Sequence, residues 1–533
     1  MKNVITWNSR LVYCFAIGYL LLPFIIFSLS FIKLWIGIPV VILIITSLVY
    51  QQFHKKAENN TVFSFTKKDF LIGLMIMGTW CILSGIGGFA FQNWDHHFRN
   101  AVFSDLISYD WPVYYSTTNQ VFYALTYYIG YWLPSALIGK VFGPLAARVM
   151  LLIWTLGGVF LATIYLRQLT RSSLSKSSIL LILFSGMDVI GVFITHKIAG
   201  ISYPTFWPPV SHLEWWPRIF EYSSFTTQLF WVFNQAIPCW LAMGLLLNKV
   251  SRRSTIFIWS LCFFLAPFPA IGILPFLLLG IPKRSFNPGN ITLPSCKNSS
   301  LFCRNIFFDI RDQLTIENVS GLAIFLLSLL YFSSNQSASS HSFNFLSFPQ
   351  FIVYVLFILL EFGLLWLIFF QEKKRNLWWY MVGIVLLLSP LFTVGQSYDF
   401  CMRASIPALF ILMVWSGEYL FRPQKSIFYP ILLVFLIFGS VTPIFEINRS
   451  IYRTFDYLVN QQSDNSNIAI ENVIYQTEII PESAPPPEID HPHTLIADKY
   501  KSLNVFDFSE LGNFVGETSD SLFFQYIARK TPH

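Results

Sequence analysis

Ionisable side chains gather in a few short loops of this chain, which is otherwise strongly apolar. The first loop reads Asn93-Trp94-Asp95-His96-His97-Phe98-Arg99. On a helix, Asp95 and Arg99 would be neighbours on one face. A carboxylate beside imidazoles and a guanidinium suits a general base or a ligand for a cation. The same residues would also serve as a polar cap held by a salt bridge, and the pattern leaves both interpretations open.

Tryptophan residues and charges are interspersed in a second loop, which follows Lys197. The loop contains Trp207, His212 and the run Glu214-Trp215-Trp216-Pro217-Arg218. Indole rings stack on the faces of pyranose sugars, so this loop is a candidate sugar platform. Dense tryptophan is equally typical of an aromatic belt at a membrane interface. By its residue type His212 is a candidate ligand, although a single histidine in a loop is usually solvated.

A third polar segment, Gln396-Ser397-Tyr398-Asp399, is followed by Arg403. Arginine binds phosphate through two parallel N–H donors, although a charge at the end of a span can also reach toward the headgroups. Asp188 lies inside an apolar stretch. Because a carboxylate in lipid is costly, Asp188 is a candidate functional residue, with a hydrogen bond to a neighbouring helix as the alternative.

The elements that position these loops are apolar helices. Hydrophobic residues make up 54% of the 533 residues and charged residues only 12%, against roughly 25% in soluble domains. Continuous apolar stretches recur from Leu11 to Phe445, and a helix needs about 20 such residues to cross a bilayer. The composition predicts an all-α polytopic membrane protein with about 11–13 transmembrane helices. The predicted spans are 11–31, 34–50, 70–92, 144–166, 177–197, 224–248, 255–267, 270–282, 319–333, 350–371, 376–394, 403–421 and 427–445.

Two stretches differ in composition from ordinary membrane spans. Residues 119–142 are apolar but dense in tyrosine and tryptophan, which favour the membrane interface. If they do not cross, the lysine and arginine clusters of the chain all fall on one side, as positively charged inner loops should. We therefore predict one or two surface-lying helices in the first large outer loop, a cytoplasmic N-terminus and an extracytoplasmic C-terminus. Residues 255–282 are broken by Pro267, Pro269 and Pro275, which predicts a bent hairpin.

Charge and composition divide the chain into three predicted parts. Residues 1–68 form an N-terminal helical hairpin and cytoplasmic loop, residues 69–445 a transmembrane domain, and residues 446–533 an extracytoplasmic tail. The tail has a net charge of −7, a proline-rich linker at 481–492 and a small C-terminal element. Positive charge in the inner loops reports topology and anionic lipid, so nucleic acid is not a predicted partner.

Taken together, these features resemble the GT-C superfamily of polytopic glycosyltransferases, which use sugars linked to polyprenyl phosphate. The resemblance rests on the acid within Trp94-Asp95-His96-His97-Phe98, which follows an early span, and on the surface helices expected at 119–142. It covers the architecture of residues 70–445. Two further spans, 11–31 and 34–50, come before span 70–92 and the first large loop here, whereas the superfamily usually has one span before this loop. The segments 95–112, 221–238 and 399–407 also resemble uncharacterised bacterial membrane proteins.

The resemblance implies a single displacement that inverts the sugar. Asp95 would take the proton from an acceptor hydroxyl while the lipid phosphate leaves. His96 and His97 would position the acceptor or, with Asp95, hold a divalent metal cation; no other cofactor is implied. The other implied substrate-binding residues are the cations Arg99, Lys197, Arg218 and Arg403, the sugar-holding Trp207, Trp215 and Trp216, and Asp399.

We therefore predict a glycosyltransferase of the bacterial inner membrane that builds the cell envelope. Its partners would be a polyprenyl-phosphate sugar donor, a lipid or glycan acceptor, and membrane lipids. The alternatives are a polytopic transporter or lipid flippase, a polysaccharide polymerase or ligase, and a scaffold that displays the acidic tail. Because the sequence has no P-loop, HExxH or GxSxG motif, ATP-driven transport by this chain alone is not predicted.

Overall fold

A computed structural model describes most of the membrane domain and part of the tail. The described residues are 4–54, 62–116, 122–209, 212–248, 254–280, 311, 313–335, 341–394, 399–423, 427–463, 503 and 512–530. Several predictions lie outside them, namely those for residues 396–398, the linker at 481–492 and about half of the basic residues that set the topology.

The described chain is mostly helical. Its helices are α1 (Ser9–Ser30), α2 (Leu34–His54), α3 (Lys67–Leu83), α4 (Asp95–Ser108), α5 (Leu133–Phe142), α6 (Pro144–Thr170), α7 (Leu174–Leu183), α8 (Asp188–Ala199), α9 (Phe225–Leu247), α10 (Thr255–Leu265), α11 (Pro267–Gly280), α12 (Ile316–Phe332), α13 (Phe348–Ile358), α14 (Leu364–Ile368), α15 (Phe370–Lys373), α16 (Leu377–Leu388), α17 (Asp399–Ala404), α18 (Ile406–Phe421), α19 (Tyr429–Gly439) and α20 (Val441–Ser463). A π-helical turn, Leu359–Gly363, joins α13 to α14. Short strands are β1 (Val4–Asn8), β2 (Val62–Thr66), β3 (Tyr114–Ser116), β4 (Phe122–Leu125), β5 (His341–Phe343), β6 (Phe392–Val394) and β7 (Val515–Glu517).

Helical segments long and apolar enough to cross a membrane confirm the predicted class of a polytopic membrane protein. Within the described residues these six segments are Ser9–Ser30, Pro144–Thr170, Leu174–Ala199, Phe225–Leu247, Phe348–Ile368 and Tyr429–Asp456. Shorter apolar helices of 10–17 residues pack among them. Helix α1 is capped by Asn8 and α3 by Thr66, whose side chains accept from backbone N–H groups of the first turn. Strands β1 and β2, which directly precede α1 and α3, pair antiparallel and so join the starts of both helices.

Helix α3 ends earlier than predicted, at Leu83 rather than at residue 92. Gly85, Gly87 and Gly88 follow it with φ between 76° and 82°, a backbone region that favours glycine. Arg148 from α6 holds this segment, since its Nε donates to the Gly87 carbonyl at 2.6 Å and its Nη2 to that of Gly88 at 3.1 Å. Asp95 therefore begins a new helix, α4, instead of continuing the span.

Of the one or two surface helices predicted for residues 119–142, the described part contains one α-helix, α5. The ten residues of α5 are about half the number needed to cross a bilayer. Phe122–Leu125 forms strand β4 instead, between β3 and the C-terminal strand β7. The described end of the tail therefore packs against the first large loop. The predicted hairpin at 255–282 is confirmed as α10 and α11, which are separated at Ala266 by its non-helical angles (φ −149°, ψ 75°).

Helix α9 folds back on itself at Val232, whose backbone angles (φ −132°, ψ 34°) are not helical. In a continuous helix, Phe225 and Trp240 would lie about 22 Å apart. Their ring centroids are 5.4 Å apart, and Trp240 Nε1 donates to Gln228 Oε1 at 3.0 Å. The predicted single span 224–248 is therefore two packed segments.

A second interruption divides the predicted span 177–197 into α7 and α8. Phe184 and Met187, between the two helices, have non-helical angles. Neighbouring segments satisfy their backbone groups: Phe225 N donates to the Phe184 carbonyl at 3.2 Å, and Met187 N donates to the Leu360 carbonyl at 3.2 Å. Because Leu360 lies in the π-helical turn, two irregular segments of the bundle meet here, next to the start of α9.

Candidate functional site

Two arginine–aspartate pairs lie at the helix ends that the sequence singled out, and we call them the Arg–Asp cluster. Asp95 begins α4, and its Oδ2 lies 2.8 Å from Nη2 of Arg99, one turn later. Asp399 begins α17, and its Oδ2 lies 2.5 Å from Nη1 of Arg403. In each pair the arginine is buried, with side-chain exposures of 4% and 6%. The aspartates are 30% and 40% exposed.

Both guanidinium groups keep buried N–H donors unused. Within the described part of the chain, Arg99 Nε and Nη1 and Arg403 Nε have no hydrogen-bond partner. Arginine keeps its charge in proteins, so Arg403 is a buried cation held by the Asp399 carboxylate. A charged donor left unpaired costs more than the roughly 1–3 kcal/mol of a neutral one. Such donors suit an incoming phosphate, which accepts two N–H bonds from one guanidinium.

Aromatic rings connect the two pairs. Arg99 lies 5.8 Å from the ring centroid of Phe233, immediately after the bend of α9. Phe233 packs against Trp132 at 5.9 Å, and Trp132 against Tyr127 at 6.0 Å. Tyr127 interacts electrostatically with Arg403. Phe233, Trp132 and Tyr127 therefore form a wall, called here the aromatic wall, that extends from one arginine to the other.

His96 supports the bend of α9 and is not turned to Asp95. Its Nε2 lies 2.9 Å from the Phe230 carbonyl, which also accepts from Asn93 Nδ2 at 2.8 Å. Burial, with a further contribution from Arg99, lowers the pKa of His96 to about 3, so the ring is neutral. His97 is half-buried against Phe98. Among the residues that the structure describes, Asp95, His96 and His97 are not grouped with the spacing of metal ligands.

The three tryptophans of the predicted sugar platform differ in their exposure. Trp207 and Trp215 are 55% and 43% exposed, whereas Trp216 is 7% exposed and donates to Glu361 Oε1 at 3.2 Å. The buried Trp216 therefore positions a carboxylate and presents no face to a sugar.

The two remaining predicted cations lie on exposed surface. Lys197 lies 5.9 Å from the ring of Phe193, at the end of α8. Arg218 has a positive φ of 64° in the turn after Trp216. No contact within the described residues joins either cation to Asp95. Of the predicted leaving-group cations, Arg403 alone is brought toward Asp95 by the aromatic wall.

A second polar cluster, called here the His–Glu cluster, consists of His212, Glu214, Glu221 and Glu446. His212 Nδ1 lies 2.7 Å from Glu446 Oε1, and its Nε2 lies 3.8 Å from Glu214 Oε2. Arg449 Nη2 pairs with Glu446 Oε2 at 3.0 Å. Trp231 stacks on the imidazole at 5.3 Å. His212, Glu214 and Glu446 are buried and Glu221 is partly exposed, so the expectation of a solvated His212 is wrong.

This cluster is not evident from the sequence alone, because the last predicted span ends at residue 445. Helix α20 runs from Val441 to Ser463. Thr442, Glu446, Arg449 and Ser450 recur on it at helical spacing and are all buried. That periodicity is the signal that identifies these residues as a bundle face rather than the start of a tail.

Electrostatics sets the protonation of the His–Glu cluster. Burial lowers the pKa of His212, but the Glu446 and Glu214 carboxylates raise it to about 9. Burial raises the pKa of Glu214 well above its ordinary value, and it also raises that of Glu221. Of the groups that the structure describes, His212, Glu214 and Glu221 have the residue types and spacing to hold a metal ion.

A carboxylate pair lies where the irregular segments meet. Asp188, the first residue of α8, lies beside Glu361 of the π-helical turn, close enough for the two carboxyl groups to interact. It also accepts from Thr442 Oγ1 at 2.9 Å and from Ser185 Oγ at 3.3 Å. Two neighbouring buried carboxyl groups favour a state in which one of them carries a proton. Gly186 lies so close that a Cβ there would overlap Glu361 Oε2. Asp188 is thus bonded to neighbouring helices, which was the alternative considered from the sequence.

An apolar groove of about 830 Å³ lies between α1 and α6. Its lining includes Leu22, Ile25 and Trp154. Thr155, next to Trp154, hydrogen-bonds with Tyr131 at 2.9 Å, and Tyr131 packs on Phe233 at 5.3 Å. The groove therefore comes close to the aromatic wall.

Comparison with known proteins identifies no relative, since no family model, curated protein or solved structure matches this chain.

Proposed function

We propose that this protein is a membrane glycosyltransferase that moves a sugar from a polyprenyl-phosphate donor to a hydroxyl of a lipid or glycan acceptor. The observation that carries the proposal is the form of the Arg–Asp cluster. Its two guanidinium groups are buried with unused donors, and each is paired with a partly exposed carboxylate. This arrangement suits a phosphate leaving group beside an acid–base residue that faces the acceptor.

Asp95 acts as the general base. It accepts the proton of the acceptor hydroxyl as that oxygen attacks the anomeric carbon, and the bond from that carbon to the phosphate oxygen breaks. Arg99 holds Asp95 through Nη2, and its Nε and Nη1 remain for the phosphate. Arg403, beyond the aromatic wall, provides a second cation for the charge that develops on the leaving group.

The lipid chain of the donor would lie in the groove between α1 and α6. Its lining is almost wholly apolar, as a polyprenyl chain requires. The contacts from Thr155 through Tyr131 to Phe233 place this groove close to the aromatic wall. The phosphate head would then reach Arg99 while the chain stays in contact with membrane lipid.

The test is a transfer assay on the full chain in nanodiscs. Polyprenyl-phosphate hexoses are supplied with a bacterial lipid extract, and release of polyprenyl phosphate is followed by mass spectrometry. Asp95→Asn should lower turnover by about 100-fold or more, the usual contribution of a general base. Asp110→Asn is the matched control, because Asp110 lies in the same loop and is 85% exposed. Equal turnover in Asp95→Asn and wild type would exclude the proposed base.

A transporter is the second candidate, and the Asp188–Glu361 pair favours it. Carboxylates that share a proton at interrupted helices are typical of proton-coupled transport. In that case Glu361→Gln would abolish proton-driven uptake in liposomes, and Asp95→Asn would leave it unchanged. If the protein is the proposed transferase, Asp95→Asn should lower turnover in the transfer assay much more than Glu361→Gln does.

A further inference from the structure

We propose that His212, Glu214 and Glu221 bind one divalent metal ion, Zn²⁺ or Mn²⁺ by ligand type. One imidazole nitrogen and two carboxylates are ligands that both ions accept. The site goes beyond the proposed transfer reaction, since it does not include the Arg–Asp cluster.

The spacing of the ligand atoms fits one ion. One ligand atom from each residue lies within 4.8 Å of the other two. His212 Nε2 and Glu214 Oε2 are 3.8 Å apart. Two ligands at about 2.1 Å from a zinc ion can be separated by up to about 4.2 Å, so an ion fits between these atoms. Small rotations of the Glu221 side chain would complete the set.

An unused buried atom points independently to a ligand. Glu214 Oε1 accepts from Ser224 N at 2.9 Å and from Thr227 Oγ1 at 2.7 Å. Glu214 Oε2 is buried and has no hydrogen-bond partner among the described residues. The Glu214 side chain has no exposure to solvent. Two hydrogen bonds therefore hold Oε1 in place, and Oε2 faces His212 without a hydrogen bond.

The surroundings of His212 resemble those of a metal-bound histidine. A ligating imidazole usually donates its second N–H to a carboxylate, which fixes the ring and its tautomer. Glu446 Oε1 lies 2.7 Å from His212 Nδ1 and forms an ion pair with it, and Arg449 in turn pairs with Glu446. The Nε2 atom is thereby left for the ion. On metal binding, the proton that His212 otherwise carries on Nε2 would be released.

The alternative is a buried ion-pair network that holds the loop after α8 against α20. In that case the contacts of His212 with Glu446 serve packing, and Glu214 stays protonated. The two interpretations differ in one measurable respect, because only the first gives a stoichiometric metal site.

The test uses Co²⁺, whose visible absorption reports coordination by nitrogen and oxygen ligands. The full-length protein in detergent is stripped with EDTA and titrated with Co²⁺, and metal content is also measured on the untreated protein. We expect one equivalent in wild type and at least 10-fold weaker binding in Glu214→Gln and His212→Gln. Glu361→Gln and Asp95→Asn are controls that should keep the site.

Absence of stoichiometric binding in wild type would overturn the proposal whether or not the variants fold. Wild-type binding by Glu214→Gln, in protein that elutes as a single species, would overturn it as well. Because Asp95→Asn should bind metal but not transfer sugar, failure of the metal site and failure of the transferase can be told apart.

Discussion

The Arg–Asp and His–Glu clusters lie on the two sides of the bend in α9, and they differ in whether the carboxyl groups of their ion pairs are exposed or buried. In the Arg–Asp cluster the cations are buried and the aspartates reach the surface. In the His–Glu cluster Glu214 and Glu446 are buried together with His212. Buried cations with free donors prepare a site for an anion, and buried carboxylates with a free oxygen prepare one for a cation. The Arg–Asp cluster therefore predicts an anionic ligand, and the His–Glu cluster predicts a cation.

Removing the cation that neutralises the His–Glu cluster should have the largest effect on stability. Arg449→Met would leave Glu446 buried beside His212 with one partner fewer, and breaking a buried pair costs about 3–5 kcal/mol. Arg422→Met is the control, since Arg422 pairs with Glu372 at the surface, where a pair contributes about 0–1 kcal/mol. Thermal unfolding followed by size-exclusion fluorescence should show a large drop in Tm for the first variant only. Equal drops in Tm for the two variants would mean that burial does not make the Arg449–Glu446 pair contribute more to stability than the surface pair.

Replacing a buried guanidinium with an ammonium should weaken phosphate binding more than folding. Arg403→Lys keeps the charge and the pair with Asp399 but loses the second N–H donor that a phosphate can accept from. A hydrogen bond to a charged group contributes about 1.5–3 kcal/mol, so binding of polyprenyl phosphate should weaken about 10-fold or more.

Isothermal titration in nanodiscs measures that affinity, and Arg422→Lys is the control at the surface. Unchanged affinity in Arg403→Lys would remove Arg403 from the proposed donor site and leave Arg99 as its cation.

The close packing of the Asp188–Glu361 pair can be tested at Gly186. Gly186→Ala would place a methyl group against Glu361 Oε2, and overpacking usually costs about 1–3 kcal/mol. Gly157→Ala, in α6, meets nothing within 4 Å and should raise stability by up to about 1 kcal/mol. Apparent Tm values should therefore move in opposite directions. Stabilisation by both substitutions would show that Glu361 has room to move.

The smallest effect is expected at the surface pair of Asp110 and Lys530. Lys530 Nζ lies 2.7 Å from Asp110 Oδ2 and lowers the pKa of that carboxyl. The sign follows from the lowered pKa: the pair adds stability above the ordinary pKa of an aspartate, and this is lost as the pH falls through the lowered value. Lys530→Ala should return the pKa of Asp110 toward about 3.9, as measured by NMR, and should leave Tm unchanged in salt.

Much of the fold could be predicted because a lipid-embedded helix needs a long apolar run and little else. The spans at Ser9–Ser30, Pro144–Thr170 and Phe348–Ile368 follow from local composition. The neighbouring positions of Asp95 and Arg99 also follow from helical spacing, although the helix that carries them is a new one. Residues 122–125 were expected in a surface helix, and their strand depends on a partner almost 400 residues away, at β7.

By itself, the amino-acid sequence determined the membrane class, most helix positions and the i,i+4 pairs, because these depend on hydropathy and on periodicity along one helix. Only the tertiary structure decided which polar groups meet. His212 and Glu446 are far apart in the chain, as are Asp188 and Glu361. The fold-back at Val232 leaves the Phe230 carbonyl to Asn93 and His96, which belong to another element. Apolar composition specifies that the helices pack. Which buried polar groups meet depends on the breaks in three predicted spans, 177–197, 224–248 and 350–371.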